Sequence, residues 1–183
     1  MGTLRCNMKN LCKNNFRCLG CSCTAGEQNA RDHFARIQGR RSIMDFILHG
    51  YCGLYCGACP IMLNTKAGTG TEQCYGCKSE QPTGYCAVCG IKACARGKGY
   101  EFCNECSEYG TCERMQKFLK DANWPYQQIV SKNMESIRQN GLSKWLEAQE
   151  QRWRCTNCGA FHSWWDESCP QCGQAVTSYK ADI

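Results

Sequence analysis

Cysteine occupies 20 of 183 positions, and most of it arrives in C-x2-C pairs. The pairs are Cys18/Cys21, Cys56/Cys59, Cys74/Cys77, Cys86/Cys89, Cys103/Cys106, Cys155/Cys158 and Cys169/Cys172. Two thiolates at that spacing sit on one tight turn and point at one ion. Two facing pairs complete the four-sulfur tetrahedron that zinc favours. Without its cysteines the chain has few branched aliphatic residues, so a large oily core is not available. Small domains with thin cores are held together by disulfides or by structural metal. The C-x2-C spacing selects metal, because adjacent knuckle thiols face the same way and rarely bond to one another.

Several classes are excluded or weakened at this stage. The start, Met1-Gly2-Thr3-Leu4-Arg5-Cys6, has no apolar h-region. No apolar run approaches membrane-span length. A cytoplasmic chain keeps its thiols reduced and free for metal. The formal charge of +6 treats every thiol as neutral. A zinc ion held by four thiolates carries a charge of about −2. Three such sites cancel the formal excess, and a fourth makes the protein acidic. Nucleic-acid binding through bulk charge is therefore weakly supported.

Four segments are expected. Residues 1–43 form an N-terminal extension, ordered or disordered, carrying Cys6, Cys12, Cys18, Cys21 and Cys23. The apolar Ala30, Phe34 and Ile37 suggest a helix over 27–38. Met44 is a second plausible start. Residues 44–112 are a loop-like metal-binding core with 11 cysteines. Residues 113–153 lack cysteine and read as three helices. The first starts near Glu113 with Met115, Phe118, Leu119 and Ala122 on one face. The second begins at Pro125, carries Ile129, Val130, Met134 and Ile137, and ends at Gly141. The third runs from about Ser143 with Trp145, Leu146 and Trp153 inward. Residues 154–183 form a separate module. The expected fold class is a small metal-stabilised α and irregular architecture, with zinc-knuckle loops packed on short helices and a C-terminal zinc ribbon.

The C-terminal module is the clearest ligand set. It reads Cys155-Thr-Asn-Cys158-Gly159, ten residues, then Cys169-Pro-Gln-Cys172-Gly173. Each half is a knuckle in which glycine lets the backbone bend. The pattern resembles a zinc ribbon, and its C-P-x-C-G half resembles rubredoxin. Trp164 and Trp165 are expected to form the ribbon's own small core.

In the central segment the candidate ligands are Cys52, Cys56, Cys59, Cys74, Cys77, Cys86, Cys89, Cys94, Cys103, Cys106 and Cys112. Spacing groups Cys74/Cys77 with Cys86/Cys89, and Cys103/Cys106 with Cys94 and Cys112. Cys52, Cys56 and Cys59 remain, with His49 as a candidate twelfth ligand. Their C-x3-C-x2-C spacing admits an iron–sulfur cluster with one open iron. It resembles the cluster loop of radical-SAM enzymes, but no repeated strand–helix pattern follows to build their barrel.

The run Gly50-Tyr-Cys52-Gly-Leu-Tyr-Cys56-Gly-Ala-Cys59-Pro60 resembles the opening of a small cysteine-rich microbial family known as domain of unknown function 3795. Cys74-Tyr-Gly-Cys77, Cys86-Ala-Val-Cys89-Gly-Ile-Lys-Ala-Cys94 and Phe102-Cys103-Asn-Glu-Cys106 are similar to the rest of it. The resemblance covers roughly residues 44–120, and the helices and ribbon look like an extension seen in some members. It implies zinc binding and carries no activity.

The expected function is a zinc-binding protein with structural four-cysteine sites and three or four zinc ions. It would act as a binding or scaffolding module for a protein partner, with nucleic acid, through Arg152, Arg154, Trp164 and Trp165, as the lesser option. The rivals are an iron–sulfur or redox protein using Cys52, Cys56 and Cys59, and a metal store or sensor. No motif for an enzyme is present: the Gly-rich Ala67–Thr71 run lacks the Lys-Ser/Thr ending of a phosphate loop.

Overall fold

The computed structural model describes residues 45–183. The N-terminal cysteines and the expected 27–38 helix lie outside the described residues. Among the described residues five short α-helices carry the fold: α1 (Pro60–Ala67), α2 (Gly90–Gly97), α3 (Glu113–Leu119), α4 (Val130–Asn140) and α5 (Leu142–Arg152). Among the described residues there is no extended strand. Isolated antiparallel bridges join His49 to Tyr55, Arg154 to Phe161 and Ser168 to Ala175. The last two bridges close the two C-terminal knuckles separately, and the ten-residue spacer between the knuckles forms no hairpin.

Local chemistry sets the helix ends. Pro60 begins α1, where its missing N–H would have no partner anyway. Gly68 closes it in the left-handed conformation. The Glu113 helix ends at Leu119, leaving Ala122 exposed beyond it. Pro125 starts a 3₁₀ turn over Pro125–Ile129 before α4 begins. Gly141 separates α4 from α5 with φ of 80° and ψ of 162°. That is a glycine conformation, outside the left-handed helical region.

The helices bury one stripe each. Ile91 and Ala95 of α2, Met115 and Phe118 of α3, Val130 and Met134 of α4, and Trp145 of α5 are all buried. All of these but Ala95 share one core with Leu54, Tyr55 and Phe102 of the cysteine loops and with Trp153, Trp164 and Tyr179 of the C-terminal segment. Burying each large side chain stabilises by about 1.5–3 kcal/mol. Tyr55 meets Trp145 edge to face, with ring centres 6.0 Å apart. Asn133 Nδ2 donates to the Gly53 carbonyl at 2.9 Å, satisfying a buried acceptor of the cysteine loop from α4.

The two ribbon tryptophans divide. Trp164 is buried in the common core and stacks on Tyr126 at 4.5 Å. Trp165 faces out and touches Tyr126 and Tyr179 edge to face. Both lie in one turn, in which Asp166 N–H donates to the Ser163 carbonyl, and the two rings leave it on different sides. The backbone follows Trp164 in: its N–H donates to the Ala58 carbonyl, and its own carbonyl accepts from Tyr179 N–H.

Candidate metal centre

The C-terminal knuckles are built alike. In the first, Cys155 N–H donates to Ala160 O at 2.8 Å and Gly159 N–H donates to Cys155 O at 2.8 Å. In the second, Cys169 N–H donates to Gln174 O at 2.7 Å and Gly173 N–H donates to Cys169 O at 2.9 Å. Gly159 and Gly173 both have φ of 74°, which an L side chain rarely adopts. The same turn is thus made twice, and the two turns face each other.

All four sulfur atoms of Cys155, Cys158, Cys169 and Cys172 lie within 4.8 Å of one another. Cys155 and Cys172 are 3.7 Å apart, and Cys158 and Cys169 are 3.6 Å apart. A tetrahedron with metal–sulfur bonds of about 2.3 Å has edges of about 3.8 Å. The spacing is therefore that of four ligands on one ion. Four cysteines close together here can hold a metal ion.

The surroundings favour thiolate. Asn157 Nδ2 donates to Cys172 Sγ at 3.5 Å. That bond, followed by one from Gln174 N–H, holds the Cys172 thiol down at about 6. Ala160 N–H pulls on Cys158, but the thiol hydrogens it shares with the other three push it up. Cys172 ionises readily while Cys158 holds its proton, and a bound cation favours the thiolate form of its ligands. Cys155 and Cys169 are buried, whereas Cys158 and Cys172 are exposed. Asn157 sits inside the first knuckle, yet spacing alone gave no hint that it reaches the second.

The 11 central cysteines are arranged differently. Among the described residues they form no compact group of metal-ligand atoms like that of the C-terminal knuckles. Two neighbourhoods are visible. The first holds Cys52, Cys56, Cys59, Cys74, Cys77, Cys86 and Cys89, of which Cys52 and Cys77 stand beside Gly50. A Cβ placed on Gly50 would stand 3.4 Å from Cys52 Sγ and 3.8 Å from Cys77 Sγ. Cys56 and Cys77 are buried together against Met62, with Cys59 beside them. Burial pushes the Cys52 and Cys56 thiols up; Cys77 adds to this at Cys52, whereas at Cys56 the Cys77 backbone N–H opposes it. A hydrogen bond with Cys86 instead holds Cys77 down at about 6. Backbone N–H groups also reach these sulfurs: Leu54 to Cys52, Cys77 to Cys56, Ile61 and Met62 to Cys59. Such bonds stabilise thiolate ligands.

The second neighbourhood is a cavity of about 590 Å³ lined by Cys94, Cys103, Cys106 and Cys112, together with Lys98 and Tyr109. Burial, then the neighbouring Cys94 and Cys112, push the Cys103 thiol up to about 12. Lys98 Nζ donates to Cys106 Sγ at 3.4 Å. No spacing rule pointed to Lys98 or Tyr109.

His49 has other company. Its Nε2 is 2.8 Å from Glu101 Oε1, and its ring lies 5.4 Å from that of Phe102. Its Nε2 is thus engaged by a carboxylate from another loop. The basic residues near the ribbon are also engaged. Arg152 donates to Thr177 O, Ser178 O and Asp182. Arg154 pairs with Glu150 and covers the Phe161 ring.

A family model described as a protein of unknown function (DUF3795) matches residues 48–117. The matched stretch holds every central cysteine from Cys52 to Cys112 and stops within α3. It leaves out α4, α5 and the four-sulfur cluster of the C-terminal knuckles. No curated protein and no solved structure matches the chain. Among the described residues no helix is long and apolar enough to cross a membrane.

Proposed function

We propose that Cys155, Cys158, Cys169 and Cys172 hold one structural zinc ion in a zinc ribbon, and that the protein is a cytoplasmic binding scaffold ordered by metal. The observation that carries this is the convergence of the four sulfurs, all within 4.8 Å of one another, with two pairs at 3.6 and 3.7 Å. Zinc has no geometric demand beyond a closed tetrahedron, and four thiolates meet it. The ion sits at the edge of the common core. It fixes the turns on either side of Trp164, so metal order and core order are one property. The central thiols add further sites in this reading.

The docking face of the scaffold is aromatic. Trp124 is 50% exposed and Trp165 is 39% exposed, and their ring centres are 6.5 Å apart. One belongs to the helical segment and the other to the ribbon, so metal loss would separate them. Exposed tryptophans are enriched at protein contacts. A protein partner is favoured over nucleic acid because Arg152 and Arg154 are held by internal partners.

The test is elemental analysis of the purified full chain, followed by chelation. The expected result is zinc bound in whole-number ratio and loss of the near-ultraviolet tryptophan signal when it is removed. Retention of that signal in metal-free protein would overturn the reading.

A further inference from the structure

The chain repeatedly sets cations on its own aromatic rings. Lys66 lies over Phe46 and Phe161, Lys78 over Tyr51 and Phe102, Arg152 over Trp153 and Arg154 over Phe161, each 4.2–5.6 Å from the ring centre. An aromatic face attracts a cation through its quadrupole, and indole does so best. The two exposed indoles, Trp124 and Trp165, stand outside this pattern. Among the described residues no lysine or arginine covers either ring. Their rings are inclined at 58°. Tyr126 meets both edge to face, at 6.2 Å for Trp124 and 5.1 Å for Trp165. Tyr126 in turn stacks on the buried Trp164, so the cluster is anchored on the core and is ordered before any partner arrives. Preorganisation of this kind lowers the cost of binding.

Two carboxylates belong to the turns that carry these rings. Trp124 N–H donates to the Asp121 carbonyl at 3.1 Å, and Asp166 follows Trp165 directly. Each carboxylate is held through one oxygen. Asp121 Oδ1 accepts from Asn123 N–H at 3.0 Å and from Asn123 Nδ2 at 3.1 Å. Asp166 Oδ2 accepts from Ser163 N–H at 2.7 Å. The second oxygen of each accepts no hydrogen bond among the described residues. The neighbouring bases are engaged elsewhere: Arg152 with Asp182, and Lys180 with Glu167 at 2.7 Å. Lys120, the residue before Asp121, is exposed and makes no ion pair among the described residues.

Uncovered indole faces beside carboxylates with an open oxygen complement a group that is flat, positive and rich in N–H donors. Guanidinium is such a group. It stacks on rings, donates to carboxylates in a fixed fork and is more weakly hydrated than an ammonium. We infer that the Trp124–Trp165 face docks a protein segment through an arginine side chain, stacked on the indoles and donating to the open oxygens of Asp121 and Asp166. This rests on the aromatic docking face proposed above and names the chemistry of its partner.

The experiment uses a fluorescein-labelled, arginine-bearing Gly-Ser peptide and the metal-loaded full chain, read by fluorescence anisotropy. Control peptides carry citrulline, which keeps the shape and removes the charge, or lysine. The arginine peptide should bind about tenfold more tightly than the citrulline peptide, with lysine between them. Trp124→Leu and Trp165→Leu keep apolar surface but remove the ring, and each should weaken the arginine peptide about threefold or more. Asp121→Asn/Asp166→Asn should weaken it and flatten its salt dependence. Equal binding of the arginine peptide and either control overturns the inference. So does no binding, or binding that survives both tryptophan substitutions together. Should Trp165→Leu lose its near-ultraviolet circular dichroism, Trp124→Leu, on the more exposed ring, decides. Displacement of the peptide by single-stranded oligothymidylate would mean base stacking and overturns it. A wild-type dimer in sedimentation that Trp124→Leu turns to monomer would mean that a second copy covers the face, and overturns it too. Failure of the underlying scaffold reading looks different: the tryptophan signal would survive chelation whether or not the peptide binds.

Discussion

Lys78 Nζ donates to Glu101 twice, at 2.6 Å to the Oε1 carboxylate oxygen and at 2.7 Å to the backbone carbonyl. The ammonium is also 4.7 Å from the centre of the Tyr51 ring and 4.5 Å from that of Phe102. Lys78 follows Cys77 directly, and Glu101 lies two residues before Cys103. The contact therefore ties the Gly50 thiol neighbourhood to the segment that leads into the cavity lined by Cys94, Cys103, Cys106 and Cys112. Only 8% of the Lys78 side chain is exposed, against 57% for Glu101.

The two partners should respond unequally to substitution. Lys78→Met removes a buried charge, two hydrogen bonds and two cation–ring contacts, and leaves the Glu101 carbonyl short of a donor. A loss of about 1–3 kcal/mol is expected. Glu101→Gln keeps the carbonyl bond and alters only an exposed partner, so less than about 1 kcal/mol should be lost. Urea denaturation of both metal-loaded variants measures the difference. Equal losses would mean that the ring contacts contribute nothing.

Gly76 makes a second prediction about the same loop. It lies between Cys74 and Cys77 with φ of 115°. A Cβ there would run into the Ile47 carbonyl oxygen. Ile47 N–H pairs with Tyr75 O at 2.8 Å, so the two segments cannot part without losing that bond. Gly76→Ala should cost on the order of 3 kcal/mol or more, because strain and clash add. Gly68→Ala is the control: its φ is also positive, but nothing lies within 4 Å. It should cost about 1 kcal/mol. Thermal melts of the two variants compare them directly, and a Gly76→Ala protein as stable as Gly68→Ala would contradict the close approach.

Ribbon substitutions should act well beyond the knuckles. Cys155→Ser breaks a buried corner of the four-sulfur site. Structural zinc supplies on the order of 10 kcal/mol of apparent folding free energy. Cys155 follows Trp153 by two residues, and the His162 N–H donates to the Trp153 carbonyl at 3.1 Å. The variant should lose the ribbon's zinc and loosen the Trp153 and Trp164 packing. Near-ultraviolet circular dichroism and zinc content read the two effects. Asn157→Ala removes only the donor to Cys172, so zinc should stay bound but leave at a higher pH during acid titration. Unchanged acid release would show that Asn157 does not tune that sulfur.

The sequence made some of this legible and hid the rest, for physical reasons. C-x2-C-G spacing is local, and both C-terminal knuckles could be read from it because each turn is closed by its own backbone. Amphipathic spacing likewise placed Met115, Phe118, Val130, Met134 and Trp145 on buried faces. Cross-chain relationships were not legible. Nothing local tells that Trp164 turns in and Trp165 out, since that depends on where Ala58 and Tyr126 stand. Nor could spacing show that Cys52 and Cys77 flank Gly50, or that the ring nitrogen of His49 meets Glu101. The end of α3 was overestimated because Ala122 fits the apolar period while Asp121 and Asn123 bond to each other instead.

The His49–Glu101 contact gives stability a definite dependence on pH. Burial, the largest influence, lowers the His49 pKa from 6.5, and the Glu101 hydrogen bond only partly opposes it. The folded protein therefore holds His49 neutral at a pH where the unfolded chain has already taken up a proton. A group lowered in this way contributes stability above its unfolded pKa, and that contribution is lost as pH falls through 6.5 toward the folded value. Glu101 acts in the same direction at lower pH. Its carboxyl is held below 4.5, first by Lys78 and then by His49, so its contribution disappears only as pH falls below 4.5. Urea midpoints of metal-loaded wild type and His49→Gln should be measured between about pH 7.5 and about pH 5.5. Wild type should lose stability relative to the variant as the pH drops, and metal release, common to both proteins, cancels in the difference. A wild type that gains on the variant under acid would mean that the histidine is protonated in the folded state and that the Glu101 contact outweighs burial.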